Sequence, residues 1–223
     1  VMNDNVPSVF INFNIPKDKV SALEAALDLP AGFQLAKSKM TPRQPARYLL
    51  TLNIYETSDV LTSERVDRAE WSVYVEDRQD PTADGRYLMV IDVDSNGASL
   101  NPVDLFTPPT VFDYSVQAGK LSADIKAIEG EAIADKFRIE FDLPAESAPA
   151  VRLQEEWILA NDRVYWRNGV YDLLFYNGLL LDADAAEADL DTVVLDDQTP
   201  WADFVDAAPV QVVVFRNPLQ FVI

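Results

Sequence analysis

Apolar residues recur at every second position through most of this chain, a period that predicts strands. Val9, Ile11, Phe13 and Ile15 share one face of Ser8 to Ile15. Tyr48, Leu50, Leu52 and Ile54 do the same in Tyr48 to Tyr55. In Ala69 to Glu76, Trp71, Val73 and Val75 alternate with Glu70, Ser72, Tyr74 and Glu76. Arg86 to Val93 places Tyr87, Met89, Ile91 and Val93 together. Lys120 to Ile128, Ala132 to Leu143, Val151 to Leu159, Arg163 to Arg167, Val170 to Tyr176 and Val210 to Arg216 complete the set. Asp84-Gly85, Asn96-Gly97, Glu129-Gly130 and Asn168-Gly169 mark turns between them, and Asn168-Gly169 is the clearest hairpin signal.

One segment has the other period. After Ile15-Pro16, Val20, Leu23, Ala26 and Leu27 recur at helical spacing, and Leu29-Pro30-Ala31-Gly32 ends the run. A second short helix is expected from Thr199-Pro200 to Ala207, with Trp201, Phe204 and Val205 inward. So many strands with short polar turns must close or double over. The expectation is a mostly β protein: an antiparallel closed or strongly bent barrel-like sheet with one N-terminal helix and a short C-terminal helix. No repeat, low-complexity tract or linker divides it, so residues 1–223 are read as a single domain.

Composition narrows the chemistry. The chain has no histidine and no cysteine, so histidine bases, thiol nucleophiles, His or Cys metal ligands and disulfides are all excluded. No cofactor is expected. At 48% hydrophobic residues the chain can bury a substantial core. A net charge of -19 repels phosphate backbones and anionic membranes, so neither nucleic acid nor membrane is an expected partner. The start, Val1-Met2-Asn3-Asp4, lacks a basic stretch leading into an apolar run, and a cytoplasmic location is expected. Exposed sheet edges allow a homo-oligomer without requiring one.

Four regions are candidates for function. Across Arg47 to Glu76 the second strand face carries Arg47, Thr51, Asn53 and Tyr55, then Glu70, Ser72, Tyr74 and Glu76. That face either meets solvent or lines a barrel interior with a polar ligand pocket. Glu70, between Ala69 and Trp71, would be a partly desolvated carboxylate suited to acid or base work. The Pro-rich stretch Asp94 to Pro109, with Leu105 and Phe106, is either a site loop or a crossover. Trp157, Tyr165, Trp166, Tyr171, Phe175 and Tyr176, with Trp71 and Trp201, either line an apolar pocket or pack the core. Asp182 to Asp206 carries nine acidic residues and no basic one. It fails the calcium-loop pattern at Glu187 and Val193 and reads as a solvated acidic loop.

From Arg68 to Pro109 the chain resembles the acetoacetate decarboxylase-like β-barrel family. Arg68-Ala69-Glu70-Trp71-Ser72-Val73-Tyr74-Val75 is similar to that family's glutamate-bearing strand, and Arg86 to Val93 to the next one. Gly119 to Ile125, Gly130 to Ile133 and Phe137 to Phe141 resemble its long hairpin, and Leu29 to Phe33 an early segment. The resemblance implies a barrel and, in the decarboxylases, a lysine of depressed pKa that forms a Schiff base with a β-keto acid. Here Pro109-Thr110 stands where a Pro-Lys pair is implied, and no lysine occurs between Lys39 and Lys120.

The expectation is therefore a barrel pocket for a small, partly apolar organic acid or carbonyl compound, without a Schiff-base lysine. As an enzyme it would be a lyase or hydrolase in which Glu70 is the acid or base. Arg47 or Arg68 would hold a ligand carboxylate or oxyanion, and Tyr74 would donate a hydrogen bond. Trp71, Phe106, Tyr165 and Trp166 would line the pocket. A lipocalin-like carrier of an apolar ligand, or a structural or partner-binding β domain, are the alternatives.

Overall fold

Two sheets account for the strands of the structure, a computed structural model that describes residues 6–29, 31–39, 41, 43–58, 65–79, 86–96, 110–151, 162–167, 170–175 and 184–216. Of residues 57, 58, 65, 86, 129, 162–167 and 170–175 it describes the backbone alone. In chain order the elements are β1 (Ser8–Asn14), α1 (Val20–Ala26), β2 (Phe33–Leu35), β3 (Lys37–Ser38), β4 (Arg47–Ser58), β5 (Arg65–Asp77) and β6 (Arg86–Ser95). There follow β7 (Thr110–Gln117), β8 (Lys120–Glu129), β9 (Ala132–Asp142), β10 (Asp162–Arg167) and β11 (Val170–Phe175). The last are β12 (Ala185–Glu187), β13 (Val194–Asp197) and β14 (Gln211–Phe215).

The large sheet runs β11-β10-β6-β5-β4-β1-β14-β12, with β2 on β5 and β3 on β4. The small sheet runs β13-β9-β8-β7. Among the described residues all pairings are antiparallel except β10 with β6. The large sheet's path is open among the described residues, from β11 to β12. No helix among the described residues is long and apolar enough to cross a membrane.

The core lies between the sheets. Val9, Ile11 and Phe13 of β1, Leu50, Leu52 and Ile54 of β4, and Ala69, Trp71, Val73 and Val75 of β5 share it with Leu121, Ala123 and Ile125 of β8 and Phe137, Ile139 and Phe141 of β9. Trp71 meets Phe137 edge to face, ring centroids 5.2 Å apart. Each of these buried Val, Leu, Ile and Phe side chains contributes roughly 1.5–3 kcal/mol by leaving water. Leu23 of α1 adds to the same core.

Several expectations are corrected. The C-terminal helix shortens to a single 3-10 turn at Ala202–Phe204, although Trp201, Phe204 and Val205 do pack on the core. Val151 to Leu159 and Tyr176 lie outside the described residues, beyond Val151 itself. β7 was hidden behind the Pro-rich stretch. It pairs with β8 through a two-residue turn, Ala118-Gly119, with φ of 50° and 80°. Alanine seldom adopts that left-handed conformation, so the turn carries no ordinary signal.

Strict alternation fails on β6. Trp71 pairs with Asp92 but Ser72 pairs with Val90, which leaves Ile91 as the extra residue of a β-bulge. The bulge turns Asp92 and Asp94 toward the core side, opposite Trp71 and Ala69. It turns Val93 to the other face, opposite Glu70. A second bulge on β9, between the pairs Ile125–Phe137 and Lys126–Asp135, frees Lys136.

Candidate functional site

The polar face of β4 and β5 is buried. Thr51 is 1% exposed, Asn53 3%, Arg68 2%, Glu70 1% and Ser72 1%. An antiparallel sheet can afford a wet outer face, and this one does not have it in its middle strands. Of the two readings open from the sequence, solvent is the one that fails for these residues.

Register sets who meets whom. Asn53 lies opposite Glu70, Tyr55 opposite Arg68 and Thr51 opposite Ser72. The Tyr55 hydroxyl donates to Oε1 of Glu70 at 2.9 Å, and Arg68 Nε donates to the same oxygen at 3.0 Å. Both donors suit a carboxylate, which accepts only. The arginine and glutamate stand two apart on one strand and so share a face, where burial strengthens their attraction.

Beside this ion pair two side chains are unsatisfied. Among the described residues, neither the nitrogen nor the oxygen of the Asn53 amide has a hydrogen-bond partner, and neither has the Ser72 hydroxyl. An unpaired buried polar group costs about 1–3 kcal/mol, and such groups are rare enough to need a reason. Tyr74 continues the row on β5, half-buried.

The other expected site residues are placed differently. Trp71 faces the opposite side of the sheet and packs in the core. Arg47 is exposed at the start of β4, paired with Ser38. It stands six positions before Asn53, or about 20 Å at roughly 3.3 Å per residue, so the structure does not bring it to Glu70. Phe106 lies outside the described residues. Tyr165 and Trp166 are on β10, of which the backbone is described; Arg163 to Tyr165 run parallel to Leu88 to Val90.

A second charged group, not foreseen, sits between the sheets. Lys136 Nζ lies 2.8 Å and 2.9 Å from the two oxygens of Asp94 and 2.9 Å from Asp92 Oδ2. Burial raises the Asp94 carboxyl above the ordinary value, and the nearby ammonium offsets this only in part. Burial alone would lower Lys136, but Asp94 and Asp92 outweigh it and leave the ammonium raised. Asp197 is also raised, chiefly by burial, against hydrogen bonds from Thr199. Nothing in a period-of-two reading could have found this group, since both bulges are needed to build it.

The seven lysines are accounted for. Lys17, Lys19 and Lys37 are exposed and Lys39 is half-buried. Lys120 pairs with Glu140 and Asp142, Lys126 with Asp124 and Asp135, and Lys136 with Asp92 and Asp94. An imine-forming lysine needs a depressed pKa; Lys120 and Lys136 are both raised.

An open cleft of about 420 Å³ lies elsewhere, beside α1 and β2. Its acids are engaged, Glu24 accepting from the Leu35 N–H and Glu76 from Gln34.

No family model matches the chain, and no curated protein matches it in sequence. Solved structures do match in fold. The crystal structure of acetoacetate decarboxylase from Legionella pneumophila subsp. pneumophila superposes with a TM-score of 0.54 at 12% identity, covering 98% of this chain and 86% of that one. A second acetoacetate decarboxylase structure gives 0.53 at 10% identity, covering 98% and 88%. The fold is thus acetoacetate decarboxylase-like over nearly the whole chain.

Proposed function

We propose that the chain binds a small, partly apolar organic acid or carbonyl compound against the buried polar face of β4 and β5, in a pocket that the strands close around barrel-fashion. Asn53 and Ser72 hydrogen-bond its oxygens, and Glu70 exchanges a proton with it. The observation that carries this is the pair of unsatisfied groups, the Asn53 amide and the Ser72 hydroxyl, next to a carboxylate already oriented by Tyr55 and Arg68. A buried site built to hydrogen-bond a ligand leaves such groups unpaired until the ligand arrives. The fold supports a small-molecule role, since solved structures of that fold are named acetoacetate decarboxylase. The chemistry proposed departs from an imine mechanism, because β4 and β5 carry no lysine and Lys120, Lys126 and Lys136 are held by carboxylates.

Thermal shift tests it, since a ligand that binds the folded state raises the melting temperature with concentration. Small keto acids, aromatic acids and fatty acids are the probes. An acid that stabilises the wild type, and stabilises Asn53→Ala and Glu70→Gln much less, is the expected result. A hit indifferent to both changes would move the reading to a carrier with its cavity elsewhere. No hit at millimolar concentration would sink it.

A further inference from the structure

The buried face has a direction built into its hydrogen bonds. Glu187 ends β12, and its Oε1 accepts from Gln211 Nε2 at 2.5 Å. Gln211 Oε1 accepts from Asn12 Nδ2 at 3.1 Å. Asn12 Oδ1 accepts from the Thr51 hydroxyl at 2.7 Å. Gln211, Asn12, Thr51 and Ser72 stand directly opposite one another on β14, β1, β4 and β5. The chain of bonds thus crosses the sheet from Glu187 to the edge of the unsatisfied pair.

Its polarity follows from one end. A carboxylate only accepts, so Gln211 must turn its NH2 toward Glu187 and its oxygen toward Asn12. That oxygen in turn requires the NH2 of Asn12, which leaves the Asn12 oxygen for Thr51. Thr51 has one proton and gives it to Asn12. Toward Ser72 the threonine oxygen therefore offers lone pairs only, and Ser72 does not use them.

We propose that Glu187 is a positioning residue that, through Gln211 and Asn12, holds Thr51 Oγ1 as a pure acceptor on the buried face. The site then selects a ligand that presents a hydroxyl at this point over one that presents a carbonyl: a hydroxy acid over its keto analogue. The selection rests on the site proposed above; the polarity of the chain does not. A carbonyl oxygen placed against the threonine lone pairs would be repelled and left unpaired, while a hydroxyl makes one further bond.

The test uses mandelate and phenylglyoxylate, an aromatic hydroxy acid and its keto analogue, with calorimetric affinities for each. The wild type should prefer mandelate by roughly tenfold, the value of one hydrogen bond. Glu187→Gln should bring the ratio close to one, because a glutamine can donate or accept and no longer dictates the direction. Thr51→Val should do the same, and Thr51→Ser should keep the preference. A preference unchanged in Glu187→Gln overturns the proposal. A ligand-free reading separates it from the site: the side-chain amide NMR signals of Asn12 should move in Glu187→Gln, two residues distant in the chain of bonds. Unmoved Asn12 signals overturn the proposal whatever binds. Moved signals with neither acid bound by the wild type would sink the site and the selection, and leave the positioning role standing.

Discussion

Glu70 and Trp71 are neighbours in the chain and face opposite sides of one sheet. Glu70 accepts hydrogen bonds from Tyr55 and Arg68 on the polar face, while Trp71 lies edge to face on Phe137 in the core. One strand thus carries the candidate chemistry on one side and the packing on the other.

Changes at these two positions should therefore separate. Trp71→Ala empties a fully buried site and should lower stability by about 3–5 kcal/mol in urea unfolding. Glu70→Gln keeps the side chain's volume but leaves the buried Arg68 guanidinium without its counter-charge, a loss of about 3–5 kcal/mol that adding Arg68→Met should partly recover. A loss in Glu70→Gln that adding Arg68→Met does not reduce would mean that Glu70 acts by packing, as Trp71 does.

Imine chemistry should be absent. Incubation with a β-keto acid and borohydride, followed by intact mass, should show no reduced adduct on any of the seven lysines. An adduct mapped to Lys136 would show that its clamp by Asp92 and Asp94 opens in solution, and would restore the decarboxylase mechanism.

Lys136→Met leaves two carboxylates facing one another without their cation. A buried pair broken on one side costs about 3–5 kcal/mol. Adding Asp94→Asn to Lys136→Met should recover part of that loss, since the uncompensated charge is then gone. If the double variant is no more stable than Lys136→Met, the triad is not coupled.

Asp197 gives a pH signature. Its carboxyl is raised above 3.8 by burial. Between that value and the raised one the folded chain keeps the proton and the unfolded chain has lost it. Its contribution is thus fully present below 3.8 and disappears as pH rises through the folded value. Wild type should lose stability relative to Asp197→Asn over that window. A difference between the two that stays constant with pH would show the carboxyl to be unshifted.

Alternation found β1, β4, β5, β8 and β14 because each keeps its period without interruption, and β9 because Phe137, Ile139 and Phe141 keep it beyond the bulge at Lys136. It also assembled the polar face from Thr51 to Ser72, and the burial of that face is what the sequence could not decide. Whether a polar row meets water depends on what lies across it, which no local pattern carries. Val93 was assigned to the wrong face for another reason. A bulge inserts one residue and reverses every assignment after it, and Ile91 gives no sign of being that residue. Asn12 and Gln211 went unremarked, and Glu187 was read only as part of a solvated acidic loop, because their meeting spans most of the chain.

That last separation has a consequence for synthesis. β1 sits between β4 and β14, and Asn12 and Gln211 are 199 positions apart. While the ribosome works from one partner to the other, β1 offers an unmatched backbone edge on an otherwise assembled sheet. Such edges recruit strands from other molecules. A nascent chain stalled short of Gln211 is therefore the form in which β1 is most exposed to aggregation, and arrival of β14 is the step that covers this edge of β1.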